Sequence, residues 1–229
     1  MRLIKPYLRD RALAYAKEWA FSRNPLFYDY TGIGGNCTNF VSQCLYAGSC
    51  EMNFTPVYGW YYLSSEERTA AWTGVEYLYN FLIGNRGVGP FGREVSAGEL
   101  ATGDVIQLAR EDGVFYHTLL VSGFEGDTYL VAAQSDDAFD RPLNSYNYAT
   151  ARYIHIDGVG VEWTPPPDCY ESLLNGTAIE AADRFPTPDT PSEPSTPAPT
   201  PSPEIPPEEP PAEEGEEGIV PENAVGDTE

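Results

Sequence analysis

No stretch of this chain is apolar for long enough to cross a bilayer, which takes about 20 residues. The start, Met1-Arg2-Leu3-Ile4-Lys5-Pro6-Tyr7-Leu8-Arg9-Asp10-Arg11, also lacks the apolar core of a secretory signal. The expectation is a soluble chain without membrane insertion, cytoplasmic as given, and extracellular if it is a fragment or is exported by another route. Basic residues are scarce as well, with 13 Lys and Arg against 35 Asp and Glu and no contiguous basic patch. Phosphate backbones and acidic leaflets do not attract such a surface, so nucleic acid is not expected as a partner.

Cysteine is limited to Cys37, Cys44, Cys50 and Cys169, without a C-x-x-C pair, which is too few for a disulfide scaffold and carries no zinc signature. Neither G-x-x-x-x-G-K-[ST] nor H-E-x-x-H occurs, so nucleotide and zincin chemistry have no support and no cofactor or metal is expected. The acids are scattered and form no recognisable glycosidase pair.

What is present is unevenly distributed. Of 21 prolines, 16 lie from Pro165 onward, together with 16 acids and a single basic residue, Arg184. Residues 185–229 are almost wholly Pro, Thr, Ser, Glu, Gly and Ala, which cannot bury enough surface to offset the entropy of ordering. The chain therefore divides into a globular domain over 1–165, a short connecting segment over 166–184 and a disordered Pro/Glu-rich acidic tail over 185–229. Within the first 165 residues, 12 basic and 19 acidic side chains leave a net charge of −7, ordinary for a globular domain.

Leu8, Ala12, Tyr15, Ala16 and Trp19 recur at helical spacing and predict a first helix that breaks at Asn24-Pro25. An aromatic loop, Leu26-Phe27-Tyr28-Asp29-Tyr30, and two glycines lead to a second helix from Cys37 to about Gly48, a plausible stop. Trp72, Val75, Leu78, Phe81 and Leu82 mark another, ending near Gly84. Beyond Gly98 come short β-rich runs at 103–108, 114–124, 128–134 and 151–156, separated by turn residues. Helices first and strands second predict an α+β domain with an antiparallel sheet.

Cys37 stands at the junction Gly34-Gly35-Asn36-Cys37, where a thiol opens a helix whose apolar face is Phe40, Val41, Cys44 and Leu45. The peptide N–H groups of a helix start have no intrahelical partner and carry partial positive charge, which favours a thiolate there. A small core cysteine is the other reading, because free cysteine is among the most buried side chains. A nucleophile needs a base within reach and a third group to orient that base. His117, in Phe115-Tyr116-His117-Thr118-Leu119-Leu120-Val121, sits in an apolar strand and is the better of two candidates, His155 reading as structural. The orienting group is sought where the next strand turns polar: Gln134, whose carbonyl can accept an imidazole N–H, or the charged Asp136.

With those residues identified, the sequence resembles the bacterial putative amidase domain family, related to the papain-like NlpC and CHAP amidases, over about residues 5–157. The resemblance is carried by Ala12-x-x-Tyr15-Ala16-x-x-Trp19-Ala20, Asn24-Pro25-x-Phe27-Tyr28-Asp29-Tyr30, the run from Gly35 to Leu45 and Ala71-Trp72. It continues through Gly103-Asp104-Val105-Ile106-Gln107, the His117 strand, Arg141-Pro142-Leu143 and Arg152-Tyr153-Ile154-His155-Ile156.

The resemblance implies a papain-like fold with N-terminal helices packed on an antiparallel sheet, Cys37 as nucleophile and His117 as base. The family usually has Asp at the position of Asn36 and His at that of Gln134. Asn36 is expected to cap the helix, and neutral Gln134 to steady an imidazolium less than a charged group does.

The predicted function is cysteine-dependent amide hydrolysis through a thioester, with an amide or peptide substrate, plausibly a cell-wall peptide, and a monomeric protein. The oxyanion is assigned to the Cys37 N–H with Tyr30 or Tyr28 as second donor, and Trp60 and Trp72 are candidate cleft walls or core. A non-catalytic binding shell and a transacylase or deamidase on the same pair are the alternatives.

Overall fold

The computed structural model describes residues 3–162 and 168–177. A short strand, β1 (Leu3–Lys5), precedes the helices α1 (Arg9–Trp19), α2 (Cys37–Ser49), α3 (Ala70–Thr73) and α4 (Val75–Gly84). The strands β2 (Gly89–Val95), β3 (Val105–Ala109), β4 (Phe115–Glu125), β5 (Thr128–Ala133), β6 (Ala138–Pro142) and β7 (Thr150–Val161) follow, and α5 (Tyr170–Asn175) ends the described chain. All strands join one sheet in the order β1-β7-β3-β4-β5-β6, with β2 also on β7, and each pair is antiparallel. The fold is thus α+β with an antiparallel sheet, as the order of helices first and strands second implied.

Side chains alternate across a strand, so each strand feeds two apolar layers. Val105, Leu120, Ala132 and Ile154 face Ala12, Tyr15 and Ala16 of α1 and Phe40, Val41, Cys44 and Leu45 of α2. Ile106, Leu108, Leu119, Val121 and Val131 point the other way and are covered by Leu100 and Leu143. Burying each such side chain stabilises the fold by about 1.5–3 kcal/mol relative to exposure.

α2 lies between the sheet, α1 and the aromatic segment 60–72, and each of its residues is buried. The helix runs past Gly48 to Ser49, and Cys50 takes the left-handed capping conformation, with φ of 48°. Gly48 serves close packing instead of termination: a Cβ there would stand 2.3 Å from the Tyr7 ring. The single helix expected from Trp72 is two, because Gly74 is extended (φ −107°, ψ 129°) between α3 and α4. β1, β2 and β6 are additional to the expected strands. They are short or carry Pro and Gly, so β-periodicity barely marks them, and pairing with a neighbour makes them strands.

Asp104, fully buried, ties three elements together. Its carboxylate accepts from Arg9 at 2.6 Å, from the Ala101 N–H at 2.7 Å and from the Ile156 N–H at 2.9 Å, and lies 2.7 Å from His155 Nδ1. His155 therefore belongs to a structural cluster.

The segment read as a connector behaves differently where it is described. Cys169 forms a disulfide with Cys50, Cα atoms 5.4 Å apart. Leu173 of α5 is fully buried in the core, its carbonyl accepting from Asn24 at 2.8 Å, and Asp168 accepts two hydrogen bonds from Arg11 at 2.7 and 2.8 Å. Residues 168–177 are part of the domain. The expected tail over 185–229 lies outside the described residues.

A bond that closes 119 residues removes much of the unfolded chain's freedom, worth about 3–5 kcal/mol. Reduction, or Cys169→Ser, is expected to lower the urea midpoint accordingly. Reductant should have no further effect on the Cys169→Ser protein, and equal midpoints for oxidised and reduced wild type would contradict this.

Candidate active site

The start of α2 is shaped by glycine and held by amides. Gly34 and Gly35 have φ of 101° and 107°, a region L-residues with side chains avoid, and so turn the chain sharply into the helix. Asn36 follows in the N-cap position, but its side chain does not cap the helix. Its Oδ1 accepts from the Tyr30 N–H at 3.0 Å and from Asn39 Nδ2 at 2.8 Å, while its Nδ2 donates to Gln134 Oε1 at 2.6 Å. The Asn36 N–H donates to Ser135 Oγ at 2.5 Å. Asn39 completes the lattice, donating to the Tyr28 carbonyl at 3.0 Å and accepting from Trp72 Nε1 at 2.8 Å. The aromatic loop, the turn after β5 and the first turn of α2 are thereby one hydrogen-bonded unit.

Gln134, 1 % exposed, is committed to this unit and does not orient His117. Besides accepting from Asn36, its Nε2 donates to the Trp19 and Ser22 carbonyls at 2.6 and 2.7 Å, which fastens the end of α1. Asn36 and Gln134 are thus partners of each other in an amide–amide bond that carries no charge.

His117 lies on β4 with its ring 6.0 Å from Tyr116, nearly parallel at 15°, and 5.7 Å from Tyr146. Burial pushes its pKa down to about 4. Asp136 pulls it back up and Arg141 pushes it further down. Near neutral pH the imidazole is uncharged and able to accept a proton, which a general base must do. Asp136, bonded to Arg141, is a carboxylate whose charge acts on the ring.

Cys37 is 9 % exposed, and its sulfur lies 3.8 Å from Thr38 Oγ1. Among the described residues no hydrogen bond joins Cys37 to His117. Thr38 and Thr118, the residues that follow each of them, share a hydrogen bond of 2.9 Å that ties α2 to β4 at this point.

The remaining candidates are placed elsewhere. Trp60 and Trp72 are fully buried, their rings 4.8 Å apart, and they are core residues, not cleft walls. Trp60 Nε1 donates to Ser42 Oγ at 3.0 Å, so even its polar edge is satisfied inside. Tyr30 is buried, its hydroxyl donating to the Ser65 carbonyl at 3.4 Å beneath the Arg68 guanidinium, and it is not free as an oxyanion donor. Tyr28 is 46 % exposed, its ring 5.0 Å from that of Tyr30. Residues missed by the sequence reading include Ser135, Thr38 and Thr118. A polar signal existed, Thr118 and Gln107 interrupting apolar strands on the helix-facing side, but only pairing of β3 with β4 brings them together. Among the described residues no three His, Cys, Asp or Glu side chains gather as a metal site requires.

A family model described as a putative amidase domain matches residues 6–156. The chain is similar to the uncharacterized protein YhbB of Bacillus subtilis strain 168, 38% identical over 152 residues. That match takes in 63% of this chain and 46% of the relative, so the chain spans less than half of that protein's length. No solved structure matches.

The depressed His117 pKa has a definite sign. Between about 4 and 6.5 the unfolded chain holds the extra proton and the folded one does not, so folding stability falls as pH drops through that window and then levels off. An NMR titration is expected to place the His117 midpoint near pH 4, and Asp136→Asn to lower it further. A midpoint at the ordinary 6.5 would contradict the buried placement.

Proposed function

The chain belongs to the putative amidase domain family, and from that membership we propose that it is a cysteine-dependent amide-bond hydrolase with Cys37 as nucleophile and His117 as base. The observation that supports this best is the mounting of Cys37. The thiol opens a buried helix behind two left-handed glycines, one residue from a hydrogen bond to the strand that carries an uncharged histidine.

In this reading the Cys37 sulfur attacks the amide carbonyl carbon while its proton passes to the His117 ring. The carbonyl oxygen becomes an oxyanion stabilised by the Cys37 backbone N–H, one of the helix-start donors without an intrahelical partner. The C–N bond then breaks, His117 returns the proton to the departing amine, and a thioester remains. Water, deprotonated by His117, attacks the thioester, releases the acid and restores the thiol. Asp136 is the orienting carboxylate, and the arrangement of nucleophile helix against base strand is papain-like.

The substrate class we assign is a peptide amide, cell-wall peptides first among them. The Cys50–Cys169 bond supports a location outside the cytoplasm, because such bonds persist in oxidising compartments. No helix among the described residues is long and apolar enough to cross a membrane.

The purified protein is to be assayed on peptidoglycan peptides and on small amides. Cys37→Ala is expected to abolish turnover and His117→Ala to lower kcat about 10³-fold, whereas Asp136→Asn costs about tenfold. Turnover that survives Cys37→Ala would sink the assignment. A mass increment on Cys37 after acid quench reports the acyl-enzyme.

A further inference from the structure

Behind Cys37 runs a file of buried polar side chains that the hydrolytic steps leave unused. Thr38 Oγ1 lies 3.8 Å from Cys37 Sγ and 2.9 Å from Thr118 Oγ1. Thr118 Oγ1 lies 3.2 Å from Gln107 Nε2, and Gln107 Oε1 lies 2.7 Å from Arg152 Nε. The file crosses from α2 through β4 and β3 to β7, and all four residues are buried.

Its polarity follows from which groups can only donate. A guanidinium has no acceptor, so Arg152 makes Gln107 Oε1 the acceptor and fixes the amide the other way round for Nε2. Gln107 Nε2 then donates to the Val75 carbonyl at 2.8 Å and to Thr118 Oγ1. Thr118 has a single hydroxyl hydrogen, and with its oxygen accepting from Gln107 that hydrogen is available to Thr38. In that sense of the file Thr38 accepts it, and its own hydrogen is available to the sulfur. Arg152 is held by contacts unrelated to the thiol: it pairs with Glu76 at 2.8 Å and packs its guanidinium 3.6 Å from the Tyr79 ring centroid and 3.8 Å from that of Phe115. The far end of the file is therefore fixed independently of the sulfur.

We propose that Arg152, Gln107, Thr118 and Thr38 are positioning residues that form a one-way chain of hydrogen-bond donors ending on the Cys37 sulfur, so that the sulfur always meets a donated hydrogen and its thiolate is favoured. This rests on the reading of Cys37 as nucleophile. A file of hydroxyls without the arginine could run in either direction, and in the reverse sense Thr38 would face the sulfur with a lone pair. Hydrogen bonds to charged groups are among the stronger ones, so the last link favours the ionised sulfur over the neutral thiol.

Charged and titratable groups on the elements around this helix start are His117 on β4, Asp136 and Asp137 in the turn after β5, and Arg141 on β6. In the chain between α1 and α2 they are Arg23, Tyr28, Asp29 and Tyr30. None is altered by a change at Thr38, so an effect of that change does not come from the loss of one of these groups.

The test is the pH dependence of Cys37 alkylation by iodoacetamide in the full chain, read by mass spectrometry. Cys44 is fully buried with its thiol pKa pushed well up by that burial, and Cys50 and Cys169 are bonded, so labelling is read at Cys37. Thr38→Val keeps the shape and removes the donor. It is expected to raise the alkylation midpoint by about one pH unit, about tenfold in rate at fixed pH below the midpoint. Thr38→Ser is expected to restore the wild-type profile.

Gln107→Glu keeps the size and the pairing with Arg152, but a carboxylate has no hydrogen to give Thr118, so the file reverses and the midpoint rises. In a Thr38→Val background Gln107→Glu should then add nothing. An unmoved midpoint in Thr38→Val, failure of Thr38→Ser to restore it, or full additivity of the two changes overturns the proposal. Should Thr38→Val not fold, Thr118→Val, which removes the donor to Thr38, takes its place with the same expected rise. The assay needs no substrate, so its failure is separate from that of the hydrolase reading, which falls only if turnover survives Cys37→Ala.

Discussion

A helix buried on every side must find a partner for each polar group it carries, and α2 is such a helix. An unpaired buried donor or acceptor costs about 1–3 kcal/mol, so several left open would consume much of a domain's net stability. The surrounding elements are arranged to meet that demand. Asn36 is met by Tyr30 and Gln134, Thr38 by Thr118, Asn39 by Tyr28 and Trp72, Ser42 by Trp60 and Gln43 by Tyr15. The aromatic loop, β4, the turn after β5, α1 and the tryptophan segment are each anchored to the same helix by at least one of these bonds.

The candidate site inherits its rigidity from that constraint. Cys37 sits where two glycines deliver the chain and where Asn36 is bonded in three directions, so the thiol is held by a frame that has little freedom to shift. Asn36 and Gln134 meet in this frame as two neutral amides 2.6 Å apart, so their contact holds the frame without adding charge. The charge that bears on the histidine comes from Asp136 and Arg141, on the turn and strand beyond.

Much of the architecture was legible in the residues. Apolar spacing located α1, α2 and the strands around Val105, His117, Leu130 and Ile154, because a helix or strand with one strongly apolar face reports its own period. Gly48 and the tryptophans were open to two readings for a common reason: a glycine can end a helix or admit a neighbouring ring, and a tryptophan can line a cleft or fill a core. Only the Tyr7 ring against Gly48, and the packing of Trp60 against Trp72 with its Nε1 bonded to Ser42, decide between those uses. Pairing of Cys50 with Cys169 across 119 residues was equally out of reach, because four cysteines without close spacing fix no connectivity.

The order of residues by itself determined that an α+β domain forms, that a thiol opens its second helix, and that a histidine stands on an apolar strand. These are local facts, set by periodicity, by glycine's access to left-handed φ and by the free N–H groups of a helix start. Which polar side chain meets which was decided only by tertiary structure. Gln134 and Asp136 lie two residues apart and looked interchangeable as partners of His117. The fold turns Gln134 under α1 to Asn36 and leaves Asp136 beside Arg141, because a hydrogen bond depends on distances across the sheet that adjacency in the chain does not encode.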